Sequence, residues 1–435
     1  MSKPAKPLEG IKVIEMGIHV AASSASSLLG YLGADVIKVE TVKGDPYRIQ
    51  GLTYGIPSTP KHNPQFDLVN PYKRGVSINQ RTEEGREIMR KLLKSADIFM
   101  TNFRDSALAN MGLSYEEVLA VNPKIVYATL DGYGKKGEEA GRAAYDLTAF
   151  FSRSGFISAA QYPTAAPMLG PNAAGDDTTS IAFALGILAA YMQVQKTGVG
   201  TRIDTSLMQT AMWVMMGATA TTYLSKDKPQ KMFDLEHPSW TALCTDYKCK
   251  DGVWVKFCCM SIEQYWSSVC HAFDLVDFID DPRFNNMPGQ MANAPEVYAM
   301  MKSKISQLSS AEVKARIKEW DLPAEIILTT WQCASSEQAR VNGFVSPIPT
   351  YENYGMEDFV AAMPPFKIAG MEDEPRTRAP YLGEDTENVL SDLGYSREQL
   401  DKMLADGTIS QFGKSEVNPA FANYKKAMGW TIEDK

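Results

Sequence analysis

From Ile11 to Leu130 the chain switches repeatedly between two hydrophobic periods. Short runs with alternating or consecutive apolar residues read as strands over Ile11–Met16 (IKVIEM), Asp35–Glu40 (DVIKVE), Val76–Asn79, Asp97–Thr101 and Lys124–Leu130 (KIVYATL). Helical patterns lie between them: the small-residue segment Ser23–Leu32, and the amphipathic Thr82–Leu93 with its acidic first turn. A capping box, Ser114-Tyr-Glu-Glu117, opens a further helix running to about Val121. Strand–helix–strand units of this length need right-handed crossovers and parallel pairing. The pattern therefore predicts an α/β, Rossmann-like parallel-sheet domain.

Two long apolar helices are expected next, Thr178–Gln195 and Leu207–Leu224. Between them come the break Gly198-Val-Gly200 and a strand at Arg202–Thr205. The polar stretch that follows reads as a linker. A second pattern begins near Trp240, where Thr245–Lys250 and Val253–Cys259 flank the hairpin signal Asp251-Gly252. Helices are expected over Ile262–Phe273, Pro295–Leu308 and Ala311–Trp320, the last opened by the capping box Ser309-Ser-Ala-Glu312. Residues Ala362–Pro380 form a Pro- and Met-rich loop, and Thr386–Leu393 and Arg397–Leu404 are short helices. The resulting division is a large domain over 1–224, a linker over 225–239, a smaller α+β domain over 240–345 and a return segment over 346–435 that completes the large domain.

Composition narrows the function classes. The 435 residues carry 44 Lys+Arg against 52 Asp+Glu, a net charge of −8, so no general basic face for nucleic acid is expected. Six cysteines are too few for a disulfide scaffold, and no CxxC pair occurs; neither zinc nor any other metal site is expected. The first ten residues hold no apolar run, so no secretory signal is expected. The apolar segments Ile181–Val194 and Leu207–Leu224 read as buried helices rather than membrane spans. A cytoplasmic protein follows as the expectation.

The first strand–turn–helix is where a dinucleotide would bind. Its turn, Gly17-Ile-His-Val-Ala-Ala-Ser-Ser, lacks the glycines of GxGxxG. GxxxxGK[ST] and GxSxG are also absent. The small residues of this turn suit either an anion at a helix N-terminus or tight helix-on-sheet packing. Gly175-Asp176-Asp177-Thr178-Thr179 precedes an apolar helix and admits two readings. Asp or Thr could simply cap that helix, or a loop carboxylate could serve as a nucleophile.

A set of short motifs adds a resemblance. Leu8-Glu-Gly-Ile-Lys-Val-Ile-Glu15, Leu32-Gly-Ala-Asp-Val-Ile-Lys-Val-Glu40, Gly44-Asp-Pro, Asn70-Pro-Tyr-Lys-Arg74, Thr82-Glu-Glu-Gly-Arg86, Gly132-Tyr-Gly134, Gly175-Asp176 and Ala379-Pro-Tyr-Leu-Gly-Glu-Asp-Thr386 stand in one order along the chain. In that order they resemble the family III CoA-transferases. Asp67-Leu-Val-Asn-Pro-Tyr-Lys and Tyr145-Asp-Leu-Thr-Ala-Phe-Phe151 are similar to the branch acting on 2-hydroxy acids and enoates.

The resemblance implies a two-domain protomer in an interlocked homodimer, with Asp176 as the nucleophile. It implies CoA contacts from His19, Ala21, Ala22, Lys73, Asn102, Phe103 and Arg104, with Gly132, Tyr133 and Gly134 near the thioester. The implied substrates are an acyl-CoA or enoyl-CoA donor and a free 2-hydroxy acid, such as an aryl-lactate or 2-hydroxyisocaproate. No tightly bound cofactor is implied; a coenzyme A thioester is the co-substrate. The alternatives are a 2-methylacyl-CoA racemase, or a transferase for carnitine- or bile-acid-type substrates. Racemase relatives carry a histidine base just before the Asp146 position, where this chain has Tyr145. A tyrosine near its ordinary pKa of about 10 is a poor base at neutral pH.

Overall fold

The computed structural model describes residues 6–56, 58–160, 166–168, 170–225, 241–348 and 359–415, with Phe421, Asn423 and Lys426 beyond them. It divides into two compact units. One comprises residues 1–157, 169–216 and 340–435, the other 158–168 and 217–339. Apart from Ser225, the linker expected over 225–239 lies outside the described residues.

The larger unit is built on a seven-stranded sheet. Its strands are β1 (Lys12–Met16), β2 (Asp35–Glu40), β3 (Lys73–Ile78), β4 (Ile98–Thr101), β5 (Val126–Asp131) and β6 (Thr201–Ser206), closed at one edge by a strand from late in the chain, Ile409–Ser410. The order runs from that late strand through β3, β2, β1, β4 and β5 to β6. All pairs are parallel except the late strand on β3, which is antiparallel. This is the 3-2-1-4-5-6 order of doubly wound sheets, in which the chain leaves β1 for β2 on one side and later returns to place β4 on the other. The expected alternation thus produces the expected sheet.

Both faces of the sheet are covered, and the period of two divides the apolar residues between them. Ile14, Ile37, Val76, Phe99 and Tyr127 join one core with Ile88, Leu92, Leu390 and Leu400. Val13, Val36, Ile98, Met100, Val126 and Ala128 join the other with Ala25, Leu29, Phe183 and Ile187. Covered on both faces, these strands are nearly continuous in apolar character. The charged residues inside them, Glu15 and Lys38, are therefore exceptions that need partners.

The helix expected at Thr178–Gln195 runs instead from Ala174 to Thr197. It starts early because neither Asp nor Thr caps it. Ala173, in the left-handed region (φ 60°), occupies the cap position without a side-chain bond. Thr178 and Thr179 donate their hydroxyls back to the carbonyls of Ala174 (2.7 Å) and Gly175 (2.8 Å). The expected loop carboxylate therefore sits within the helix's first turn. By length and composition this helix could cross a membrane. One face, with Phe183, Ala184, Ile187, Ala190 and Val194, is packed into the protein. The helix expected over Leu207–Leu224 is two helices, Leu207–Val214 and Met216–Ser225, parted at Met215 (φ −97°, ψ 24°).

The smaller unit holds an antiparallel three-stranded sheet, β7 (Asp246–Lys248), β8 (Trp254–Phe257) and β9 (Ala324–Ile326). The hairpin expected at Asp251-Gly252 forms, but its loop also takes in Lys250: the Cys249 amide donates to the Val253 carbonyl at 2.8 Å, with Gly252 at φ 84°. Helices Ile262–Ala272, Ala294–Ile305 and Ser310–Glu319 cover it around Trp266, Phe257, Phe273 and Met301.

Candidate active site

A cavity of about 750 Å³ opens beyond the carboxyl ends of β1, β4 and β5. This is where the strand order reverses and neighbouring loops diverge, the general ligand position of open α/β sheets. His19, Ala21, Asn102, Phe103, Arg104, Gly132, Tyr133 and Asp176 all line it. Residues far apart in the chain are thus brought to one site. Ala22 does not line it, because its methyl is fully buried in the core beneath. Gly134 also lies outside, with its amide bonded to Asp131 Oδ1 at 2.5 Å.

Lys73 does not join the cavity. Its side chain is fully buried and its Nζ donates to Glu15 Oε2 (2.9 Å), the Ser23 carbonyl (2.8 Å) and Asn70 Oδ1 (2.8 Å). The ammonium has a structural anion and neutral acceptors, so it is not offered to a phosphate. Lys38 Nζ approaches Glu15 from the other side at 2.9 Å and also meets Asp45 at 3.2 Å and the Gly17 carbonyl at 3.0 Å. Desolvation alone would raise the Glu15 pKa, but the two ammoniums outweigh it and hold the carboxyl at about 2.

This buried network shapes the first turn. Asp45 accepts the backbone amides of His19 (3.1 Å) and Tyr47 (2.9 Å). Asn102 receives the Ile18 amide (3.0 Å) and donates to the Ile18 carbonyl (2.7 Å). Between these clamps His19 is held at φ 60°, a conformation costly for a residue with a Cβ. Asn102 therefore positions the turn with an amide already engaged. The His19 ring lies edge-on to Tyr145 (5.5 Å) and Tyr47 (6.0 Å), and burial pulls its pKa below the ordinary value.

Arg104 is exposed on the cavity rim, and its guanidinium meets no carboxylate among the described residues. Lys135 pairs with Asp105 at 2.8 Å, and Arg142 pairs with Glu139 at 2.7 Å while lying over the Tyr133 ring. One wall thus carries three cations, of which Arg104 is the one without an internal anion. The sequence reading missed Lys135, Arg142 and Tyr145 as cavity residues. Nothing in their local pattern distinguishes them from solvated surface. Glu15 and Lys38 did carry a signal, as charges within strands that must be covered on both faces.

Asp176 is half-buried at the cavity wall, and its carboxylate has no hydrogen-bond donor among the described residues. Burial, then the neighbouring charges of Asp146 and Asp177, push its pKa up to about 8. Asp146 is itself raised by burial, partly offset by the amides of Leu147, Gly175 and Ala173. Close packing sets the placement of Asp176. A Cβ on Gly175 would stand 2.7 Å from Phe150 Cγ and 3.0 Å from Asp146 Cβ, and one on Gly132 would meet Ala144 Cβ at 2.1 Å. Glycine lets the helix start press against the π-helical turn Asp146–Arg153. Asp177 turns away and accepts from Ser24 at 3.3 Å.

A doubly wound sheet whose cavity is lined by cations and by an under-solvated carboxylate suits an enzyme that binds a long anionic co-substrate and attacks it. The model of CoA-transferase family III matches residues 8–386, and the chain belongs to that family. It is 33% identical to the (R)-2-hydroxy-4-methylpentanoate CoA-transferase of Clostridioides difficile, over 90% of this chain and 97% of the relative. It is 29% identical to the cinnamoyl-CoA:phenyllactate CoA-transferase of Clostridium sporogenes, over 92% and 96%. A CAIB/BAIF family protein from Brucella suis superposes with a TM-score of 0.77 at 25% identity, covering 90% of this chain and all of that one. Among the described residues no group of three or more His, Cys, Asp or Glu could hold a metal ion.

Proposed function

We propose that this protein transfers CoA from an acyl-CoA or enoyl-CoA to a free 2-hydroxy carboxylic acid, with Asp176 as the nucleophile. The observation that carries the reading is an aspartate without a hydrogen-bond donor among the described residues, in the cavity that also holds His19, Asn102 and Arg104. The similarity to two 2-hydroxy-acid CoA-transferases supports the acceptor class.

The chemistry follows from that carboxylate. Asp176 attacks the donor thioester carbonyl and releases CoA thiolate, leaving a mixed anhydride on Asp176. The thiolate attacks the aspartyl carbonyl, giving an aspartyl-CoA thioester and the free donor acid. The acceptor carboxylate then runs the two steps in reverse. One thioester replaces another, so no ATP is consumed. Arg104, with the mouth of the cavity, suits the CoA phosphates, and binding energy remote from the carbonyl keeps the thiolate near the anhydride. A poorly solvated carboxylate is a strong nucleophile once ionised. With a pKa of about 8, only roughly a tenth is ionised at pH 7.

We further read the protomer as half of an interlocked homodimer, working in the cytoplasm. The exposed apolar side chains of Ile181, Leu185 and Met192 along one helix, with Trp213 on the helix Leu207–Val214, support an interface, since exposed apolar runs of this kind are rare on a monomer.

The test is a CoA-exchange assay. The protein is mixed with cinnamoyl-CoA or isocaproyl-CoA and a panel of free 2-hydroxy acids, and the CoA pool is read by mass spectrometry. New 2-hydroxyacyl-CoA species are expected. Absence of exchange, with deuterium entering the α-position of a 2-methylacyl-CoA in heavy water, would make the protein a racemase. The pH profile gives an independent check: kcat/KM should climb as pH rises through about 8 while Asp176 ionises. A profile flat from pH 6 to 9 would separate Asp176 from the rate.

A further inference from the structure

The smaller unit carries a second reactive constellation that the transfer chemistry does not use. The β7–β8 register pairs Asp246 with Lys256, Tyr247 with Val255 and Lys248 with Trp254. The same register continues past the strand ends. The Phe257 amide donates to the Thr245 carbonyl at 2.9 Å, and the Cys259 amide to the Leu243 carbonyl at 2.9 Å. These two bonds bracket Cys244 and Cys258 and set them directly opposite each other, at a position where the two backbones exchange no hydrogen bond and the Cys258 amide donates instead to the Pro323 carbonyl at 2.9 Å. Opposed residues at such positions have Cα atoms about 4.5 Å apart, with both side chains on one face. That lies within the disulfide window of about 4.4–6.8 Å.

Side-chain contacts agree with the register. Cys244 Sγ lies 3.8 Å from Met260 Sδ, and the neighbouring Cys258 thiol adds to the burial that raises the Cys244 thiol. Cys244, Cys258 and Met260 therefore share a face of the hairpin end. Cys258 and Met260 are exposed and Cys244 is partly so. Cys259, between them in sequence, points into the core beside Trp266 and Cys270 and is shielded. Burial raises the Cys244 thiol to about 11, and Cys258 is the more exposed of the two, so a hydroperoxide reaches Cys258 first.

We infer that Cys244 and Cys258 form a reversible two-electron oxidation site, closed to a cross-strand disulfide by a hydroperoxide. The Cys258 thiolate attacks the peroxide oxygen; the O–O bond breaks, hydroxide leaves and takes up a proton, and Cys258 becomes a sulfenic acid. Cys244 Sγ then attacks that sulfur, the S–O bond breaks and water leaves. Two thiols and one hydrogen peroxide become one disulfide and two waters, and a dithiol reductant reverses the change. Nothing in this inference depends on the acyl substrate.

The experiment uses the full chain and hydrogen peroxide. The expected product has an intact mass lower by two hydrogens, one cross-linked peptide pair holding Cys244 and Cys258, and full recovery with dithiothreitol. In the oxidised protein both thiols should be closed to maleimide while the exposed Cys333 still reacts. Cys258→Ser should lose the mass change and Cys333→Ser should keep it. Oxygen addition at Cys258 without the cross-link, or a disulfide through Cys333, would overturn the inference. Maleimide mapping of the wild-type chain decides the matter even if a variant fails to fold.

Discussion

Asp176→Ala is expected to abolish CoA transfer, lowering kcat by roughly 10⁴-fold or more, as loss of a covalent nucleophile does. KM for the acyl-CoA should change little, because the cations lining the cavity remain. The fold should survive, since the carboxylate accepts no hydrogen bond among the described residues. Its raised pKa fixes the sign of the stability effect. Between its unfolded value of 3.8 and its folded value of about 8, the native state holds the proton more tightly. Stability is then lost as pH rises across that window. Asp176→Ala should therefore melt no lower than the parent at pH 8, and Asp176→Asn should behave alike. Incubation of the active protein with acyl-CoA should leave a CoA adduct on the peptide containing Asp176. Transfer at the parental rate in the alanine variant would remove Asp176 from the mechanism.

The largest stability effect is expected from Glu15→Ala. It leaves the ammoniums of Lys38 and Lys73 buried with only Asp45 and neutral acceptors. Removing the anion from a buried ion cluster costs about 3–5 kcal/mol. For a chain of this size that corresponds to a melting temperature lower by roughly 3–6 °C. Activity should suffer as well, because the same network holds Asp45 against the His19 amide. The pH sign is opposite to that of Asp176. With a folded pKa of about 2, below the ordinary 4.5, Glu15 stabilises above its unfolded value, and that support is lost as pH falls toward 2. Thermal melts of Glu15→Ala and the isosteric Glu15→Gln separate charge from shape. A fall of under about 1 kcal/mol in both would mean that the neutral acceptors suffice.

The sheet was legible because its strands lie in short apolar runs joined by helices, and the 3.6 and 2.0 periods do not overlap there. Parallel pairing followed from connection length alone. The start of the helix at Ala174 was less accessible. Gly175-Asp-Asp-Thr-Thr has the composition of a cap, and only the close fit of Gly175 against Phe150 shows why the helix begins earlier. The cavity was legible where residues lie at the ends of β1, β4 and β5, as His19, Asn102 and Gly132 do. It was not legible where long-range packing decides. Lys73, expected from the resemblance at the CoA, is taken up instead by Glu15, distant in sequence. The pairing of Cys244 with Cys258 was not legible: a two-residue turn at Asp251-Gly252 would set Cys244 opposite Cys259, and only the inclusion of Lys250 in the loop shifts the register by one to Cys258.

The antiparallel strand Ile409–Ser410 has a consequence for how the molecule is made. It seals the outer edge of β3, yet it is synthesised long after the rest of the sheet, and the whole smaller unit lies between. During translation the nascent sheet keeps an open edge of unpaired amides and carbonyls, the surface on which chains pair wrongly with one another. Closing it requires a contact of very long sequence separation, which slows folding. Production of this enzyme should therefore be limited by aggregation of partly made chains, and slower synthesis at low temperature should favour soluble product over inclusion bodies.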